Sequence, residues 1–304
     1  MQDCEVHVLD VIPLERARRL EEVKNDKNLF YKQGDLREKS TIHNWYQKDA
    51  SHLFHLASIV GVKNYMDDPL ALIDIVVGGT RILLELASLN KTRVLFTSTS
   101  EVYGKNPLSP WSEDFDRVLG NTSIDRWSYS SSKAVCEHML FALQRSTDLQ
   151  FSIVRFFNVY GPSQAPIFVV SKSIHQILNN KSPLLYDSGN QTRCFTFIDD
   201  AIDGVLRASQ YESALGQIIN IGSSKETTVK RLIEKIIKLS NKNVKPDNFL
   251  TSSEYGSVYE DIPKRVPLVK KAKELLNWEA STSLDDGLQK SIEWAKKNSW
   301  WLRN

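Results

Sequence analysis

Tyr129 and Lys133 stand four residues apart in the stretch WSYSSSK, and no other tyrosine of the chain has a lysine at that distance after it. On a helix that spacing puts both side chains on one face, one turn apart. An ammonium beside a phenol favours the phenolate and draws the hydroxyl down from about 10, toward the range of a working base. The bland alternative is a solvent-facing tyrosine with an unrelated lysine. A second group lies in LFTSTSEVYG, residues 95–104. There the apolar run Val94-Leu95-Phe96 gives way to hydroxyl residues and then to Glu101. Thr99 ends what reads as a buried strand, and a carboxylate just beyond it is costly unless something engages it. The alternative for Glu101 is a cap on a turn or a helix N-terminus.

These groups need a frame, and the first half of the chain alternates to supply one. Residues 5–10 read as a strand ending in Asp10, and 13–24 as a helix with Pro13 near its start. A short strand at 29–31 leads into Gly34-Asp35-Leu36, and His52 to Ala57 is a further strand. A long, mostly apolar helix follows at 69–90, then a strand at 93–98, a helix from about 127 to 146 and a strand at 151–157. Strand alternating with helix, with β-branched buried strands, predicts an α/β fold with a doubly wound parallel sheet. Such sheets bind ligands beyond the carboxyl ends of their strands, which is where Thr99 and Glu101 fall. After residue 160 the pattern loosens into helices near 167–180, 199–209, 226–240 and 284–298, with short strands at 184–187 and 217–221. The reading is a domain over 1–160 and a smaller α/β lobe over 161–304, some of whose segments return to the first. Residues 241–262 are polar and loop-like, with the character of a mobile flap.

The totals exclude several function classes. A net charge of +2 over 304 residues gives no electrostatic case for nucleic acid or a membrane surface. The three cysteines, Cys4, Cys136 and Cys194, are scattered, and the six histidines show no HxxxH or HExxH spacing, so neither a disulfide framework nor a metal site is expected. No stretch approaches the roughly 20 apolar residues of a membrane span. The acidic, apolar-poor N-terminus reads as no secretory leader, and a cytoplasmic setting is the expectation.

The combination of Thr99 at a strand end with Tyr129 and Lys133 on the next helix resembles the extended short-chain dehydrogenase/reductases that act on nucleotide sugars. The resemblance spans nearly the whole chain, through Asp10, Gly34-Asp35-Leu36, His55-Leu56-Ala57, TSTSEVYG, YSSSK, RFFNVYGP at 155–162 and RCFTFIDD at 193–200. It implies a Rossmann fold, NAD as cofactor, a UDP-sugar as substrate and a homodimer formed through the 69–90 helix and the Tyr129 helix. Tyr129 would accept the proton of the sugar 4-hydroxyl while hydride leaves C4 for NAD. Lys133 would tune Tyr129 and hold the nicotinamide ribose, and Thr99 would hydrogen-bond the reacting hydroxyl. Asp10 would meet the adenosine ribose, Asp35 and Leu36 would border adenine, and Leu56 and Ala57 would pass the cofactor backbone. Asn158 would face the diphosphate or uridine side and Tyr186 the base. Arg193 has guanidinium geometry suited to a diphosphate; its alternative is a surface ion pair.

A 4-ketosugar is a branch point between epimerisation, loss of water and loss of CO2. The order Thr99-Ser100-Glu101 lacks the Asp-Glu pair of dTDP-glucose-type 4,6-dehydratases and resembles UDP-glucuronate decarboxylases. GDP-mannose 4,6-dehydratases also carry Ser-Glu. Arg126-Trp127-Ser128-Tyr129 resembles the Arg-Trp-x-Tyr of the decarboxylase group, which marks Arg126 for the substrate. KRVP at 264–267 sits where that group has an arginine near the sugar carboxylate, so Arg265 would bind the C6 carboxylate or help deliver a proton to C5. Glu101 would orient the sugar or relay a proton. A 4-epimerase or 4,6-dehydratase is the alternative, and an N-acetylated uronic acid stays open as substrate.

The family begins with a strand, a GxxGxxG turn and a helix, and this chain shows none of it. It reads from the second strand, whose terminal acid is Asp10. About thirty residues are lacking by the usual size of a βαβ unit. The expectation is a sheet with its first strand missing, a gap lined by unpaired backbone groups and weak NAD binding. Two readings stand: an enzyme whose sequence here lacks its true start, and a shortened, catalytically inactive binding or partner protein.

Overall fold

The computed structural model describes residues 4–303 other than 252 and 254–261. Its centre is a four-stranded parallel sheet. Strands β3 (His52–His55), β4 (Arg93–Thr99) and β5 (Phe151–Phe156) lie side by side, and Gln217–Ile221 pairs with the far side of β5. Six of the seven residues of β4 and five of the six of β5 are buried, as continuous apolar runs covered on both faces must be. β3 is the edge: Leu53 and His55 are buried, and Phe54 is 40% exposed.

Strands β1 (Val6–Asp10) and β2 (Leu29–Gln33) form a separate parallel pair. Among the described residues β1 pairs only with β2 and β3 only with β4, so the parallel sheet runs in two pieces. Not one residue of the β1–β2 ribbon is buried. It is tied to the rest through Leu9 and Leu36, which pack against the core under β3 and β4.

Residues 13–24 depart from the expected helix. They form two short 3-10 turns, Leu14–Arg16 and Arg18–Leu20, with no buried residue. A short amphipathic stretch becomes helical by burying its apolar face, and here no such face is buried. The long helix over 69–90 is present, but with a π-helical segment: Pro69–Ile73 and Thr80–Asn90 are α-helical and Asp74–Gly79 between them is π-wound. Gly79 lies on its inner side, where a Cβ would come within 2.7 Å of Leu36 Cβ. A larger residue would push the ribbon's loop off the core.

The helix Arg126–Thr147 packs along β4 and carries nine buried residues. A second hydrophobic cluster joins Tyr160, Val170, Ile174, Leu232, Leu288 and Trp301 from the later helices. Within the stretch expected as a flap, Asp247–Phe249 is a strand paired with Leu184–Tyr186, and residues 252 and 254–261 lie outside the described residues. Among the described residues no helix is long and apolar enough to cross a membrane, and no cluster of metal-ligating side chains occurs.

Candidate active site

A cavity of about 680 Å³ opens beyond the carboxyl ends of β3 and β4. Thr99, Tyr129 and Lys133 line it together with Glu101, as the spacing on strand and helix requires. Thr99 is the last residue of β4, and its Oγ1 accepts from the Glu101 N–H at 3.2 Å, which starts the 3-10 turn Ser100–Tyr103. Lys133 is buried and donates from Nζ to the Thr97 carbonyl at 2.8 Å.

The Tyr129 phenol does not follow the expected shift. Burial and the Glu101 charge push it up to about 12, against hydrogen bonds with Ser58 and Thr99. The physical reason is where the lysine points. Its ammonium is bonded to a strand carbonyl, and burial draws Lys133 down to about 8. The i, i+4 stride brings the pair to one face without making the ammonium the dominant influence on the phenol.

Glu101 is the most strongly held group of the site. Arg265 Nη2 lies 2.5 Å from one carboxylate oxygen and Arg126 Nη2 3.2 Å from the other. Burial pushes a carboxyl up, but Arg265 and Arg126, with a contribution from Arg193, outweigh it and hold Glu101 down to about 2. Glu101 is therefore ionised at neutral pH. It can orient a neighbour and accept a hydrogen bond; proton donation falls away from its expected roles. The 3-10 turn starts at its neighbour, so the capping alternative is partly met, by Thr99 and not by the carboxylate.

Arg126 requires a correction. It was expected at the substrate, but it is 1% exposed, does not line the cavity and lies behind Glu101. It is the first residue of its helix, where the positive end of the peptide dipoles disfavours a cation. The Glu101 carboxylate offsets that, so Arg126 braces Glu101. Arg265 does reach the cavity. Its side chain is 10% exposed, and its buried Nε has no hydrogen-bond partner among the described residues. The strand Lys264–Arg265 sets it beside Arg193, with which it is in register.

Asn158, Tyr186 and Arg193 also line the cavity. Asn158 holds a positive φ of 37° and donates from Nδ2 to the Cys194 carbonyl at 3.3 Å. Arg193 donates to the Thr192 carbonyl at 2.8 Å, and Lys172 donates to the Tyr186 hydroxyl at 2.9 Å.

The residues expected along the cofactor separate into two groups. Leu56 and Lys133 line the cavity. Asp10, Asp35, Leu36 and Ala57 are not in its lining. Asp10 accepts from the Ile12 N–H at 3.0 Å, and Asp35 is gripped by Arg37, with Nη2 at 2.6 Å. The hydrogen bonds from Arg37 hold the Asp35 carboxyl below its usual range.

Sequence reasoning missed Ser58, which reaches the Tyr129 hydroxyl from the loop after β3. Its signal was its place, three residues past a buried strand residue at a carboxyl end. It also missed Lys172, for which the sequence holds no signal, since the two partners meet only through tertiary packing.

Comparison with known proteins places this geometry. A family model described as GDP-mannose 4,6 dehydratase matches residues 2–291. A UDP-N-acetyl-alpha-D-glucosaminuronate decarboxylase of Bacillus cytotoxicus is 39% identical over 250 residues, covering 81% of this chain and 76% of its own. UDP-glucuronic acid decarboxylase 1 of Xenopus tropicalis is 30% identical over 302 residues, covering 98% and 68%. Among solved structures, the UDP-glucuronic acid 4-epimerase of Bacillus cereus, crystallised with UDP-glucuronic acid and NAD, superposes with a TM-score of 0.82. It is 25% identical and covers 96% of this chain and 89% of its own.

Proposed function

This chain belongs to the GDP-mannose 4,6 dehydratase family, and from that premise we propose that it oxidises C4 of a UDP-uronic acid and releases CO2. The observation that carries the reading is Arg265. Its guanidinium, paired with Glu101 and with a side chain 10% exposed, lines the cavity together with Thr99 and Tyr129. A planar guanidinium is suited to hold a sugar carboxylate that enters the same cavity. Glu101, Arg126 and Arg265 together carry one net positive charge, which further favours an anionic sugar. Both decarboxylase relatives have uronic acid derivatives in their names, which supports the same substrate class.

Each step follows from the residues. Tyr129 would take the proton of the 4-hydroxyl as the phenolate, a form that the Lys133 ammonium and the positive nicotinamide ring of bound NAD would favour, with Thr99 and Ser58 hydrogen-bonded to the oxygen that receives the proton. NAD, when bound, supplies the hydride acceptor at C4. The C4 ketone then stands β to the C6 carboxylate. The C5–C6 bond breaks, CO2 departs, and the electron pair enters the C4–C5 enolate, which takes a proton at C5 from solvent. No strong acid is needed, because the ketone is the electron sink, and an ionised Glu101 suits this. Arg193 and Tyr186 hold the diphosphate and base. The division into a cofactor-binding part over 1–160 and a nucleotide-sugar part over 161–304 belongs to the same proposal. So does a homodimer through the helices at Thr80–Asn90 and Arg126–Thr147, which expose Leu89 and Val135.

The test supplies UDP-glucuronate, UDP-N-acetylglucosaminuronate and UDP-glucose separately at high NAD, with trapped CO2 and product NMR as readouts. CO2 from a uronate and none from UDP-glucose is the expected result. A 4-epimer of unchanged mass would overturn the reading in favour of epimerisation.

A further inference from the structure

The stride from Tyr129 to Lys133 continues one turn further to a third buried residue, Glu137. Its carboxylate is bonded on both oxygens. Ser98 Oγ donates to Oε1 at 2.5 Å, Arg155 Nε to the same oxygen at 3.0 Å and Arg155 Nη2 to Oε2 at 2.6 Å. Arg155 itself comes from β5, lies 4.8 Å from the centre of the Tyr103 ring and donates to the Glu113 carbonyl at 3.3 Å.

The partners of the helix form a pattern on β4. Three consecutive strand residues reach three consecutive turns. The Thr97 carbonyl takes Lys133, Ser98 takes Glu137, and Thr99 meets Tyr129. Apolar residues of similar size would hold a helix on a strand at least as firmly as a buried ion pair does. A charged link at this point is therefore poorly explained by stability. We propose that Glu137, fixed by Arg155 and Ser98, is a positioning residue for Lys133, setting the register of the helix on β4 and keeping the Lys133 ammonium charged one turn from Tyr129. This rests on reading Tyr129 and Lys133 as the proton-transfer pair.

The charged and titratable groups around them are few. His55 of β3 faces Lys133 and is kept neutral, drawn down to about 3 by burial and by the Lys133 charge. Cys136 lies beside Lys133 on its own helix, with its thiol pushed up by burial. Glu101 faces Tyr129 from the turn after β4. Arg155 of β5 and Arg117 of the connection between β4 and the Arg126–Thr147 helix face Glu137. Burial draws Lys133 down to about 8, and Cys136 and Glu137 oppose that. Loss of the Glu137 charge with Arg155 retained would draw the ammonium further down.

The test compares Glu137→Gln, Glu137→Asp and the double variant Glu137→Gln/Arg155→Gln. The double variant removes both charges and so avoids a buried arginine without its counter-ion, should the single variant fail to fold. In turnover of the uronate, the alkaline limb of the kcat profile is expected to move down by about one pH unit in Glu137→Gln, with KM unchanged, and by less in the double variant, where loss of the Arg155 charge offsets that of Glu137. Glu137→Asp, which keeps the charge, is expected to return it toward the parent. A folded Glu137→Gln variant with the parent's limb, or a double variant whose limb moves down by a full unit or so, would overturn the proposal. A second readout needs no turnover: NMR titration of lysine Nζ signals, with Lys133 assigned by Lys133→Met. Lys133 is expected to titrate about one unit lower in Glu137→Gln and nearer the parent in the double variant, and the reverse order or an unmoved Glu137→Gln titration overturns the proposal whether or not the uronate reading stands.

Discussion

Two acids stand just past the carboxyl ends of parallel strands, Glu101 after β4 and Asp35 after β2, and their surroundings are opposite. Glu101 is buried and shared by two guanidiniums, one of them reaching across from residue 265. Asp35 is bonded to Arg37, two residues away, whose side chain is 51% exposed. The cause is the sheet. β4 has a neighbour on each side, and six of its residues are buried. Among the described residues β2 pairs only with β1, and their ribbon has no buried residue. A strand-end acid thus becomes a structural and chemical anchor only where neighbouring strands and helices remove it from water. In the ribbon the same chemistry is a local surface pair.

The largest effect should come from the proton-transfer group itself. Tyr129→Phe is expected to lower kcat on the uronate by about 10³, measured as CO2 release with the fold checked by circular dichroism. Retained turnover would move the chemistry away from the carboxyl end of β4 and remove one side of the contrast.

Next comes the anchor. Glu101→Ala takes away the carboxylate that Arg126 and Arg265 share, and is expected to cost about 3–5 kcal/mol in urea unfolding. A loss below about 1 kcal/mol would mean that Glu101 behaves like a surface acid.

Acid sharpens the same point without a substitution. Glu101 is held at about 2 against an ordinary 4.5, so its contribution is present above 4.5 and is lost as pH falls toward 2. His55 is kept neutral down to about 3 against an ordinary 6.5, and the unfolded chain takes up its proton first, so stability also falls from 6.5 toward 3. Thermal melts should therefore decline below pH 6.5 and steepen below 4.5. In Glu101→Gln the steeper stage should be reduced. An unchanged steep stage in that variant would assign the acid sensitivity elsewhere.

The smallest effect belongs to the ribbon. Asp35→Ala is expected to change stability by less than about 1 kcal/mol in the same urea measurement. A larger loss would show that the ribbon is more tightly coupled to the core than its exposure indicates.

Much of this contrast was legible before the fold was known. Continuous apolar runs marked β4 and β5 as central strands, and the four-residue stride put Tyr129 and Lys133 on one helix face. The helix expected over 13–24 was not legible correctly, because amphipathic spacing describes a face and not whether anything covers it. Arg126 was misplaced for a related reason. Its neighbours in sequence tie it to Tyr129, while its partner Glu101 lies 25 residues earlier.

The sequence by itself determined the residue types, the period of each element and therefore which strand ends carry hydroxyls and acids. These depend on local geometry, which repeats every two or 3.6 residues. Only the tertiary structure decided the charge states and partners: that Glu101 is ionised between two arginines, that Lys133 turns to the Thr97 carbonyl, and that Glu137 accepts from Ser98 of β4. Those outcomes depend on burial and on distances between residues far apart in the chain. Coulombic and desolvation energies respond to distance and environment, and neither is written in local spacing.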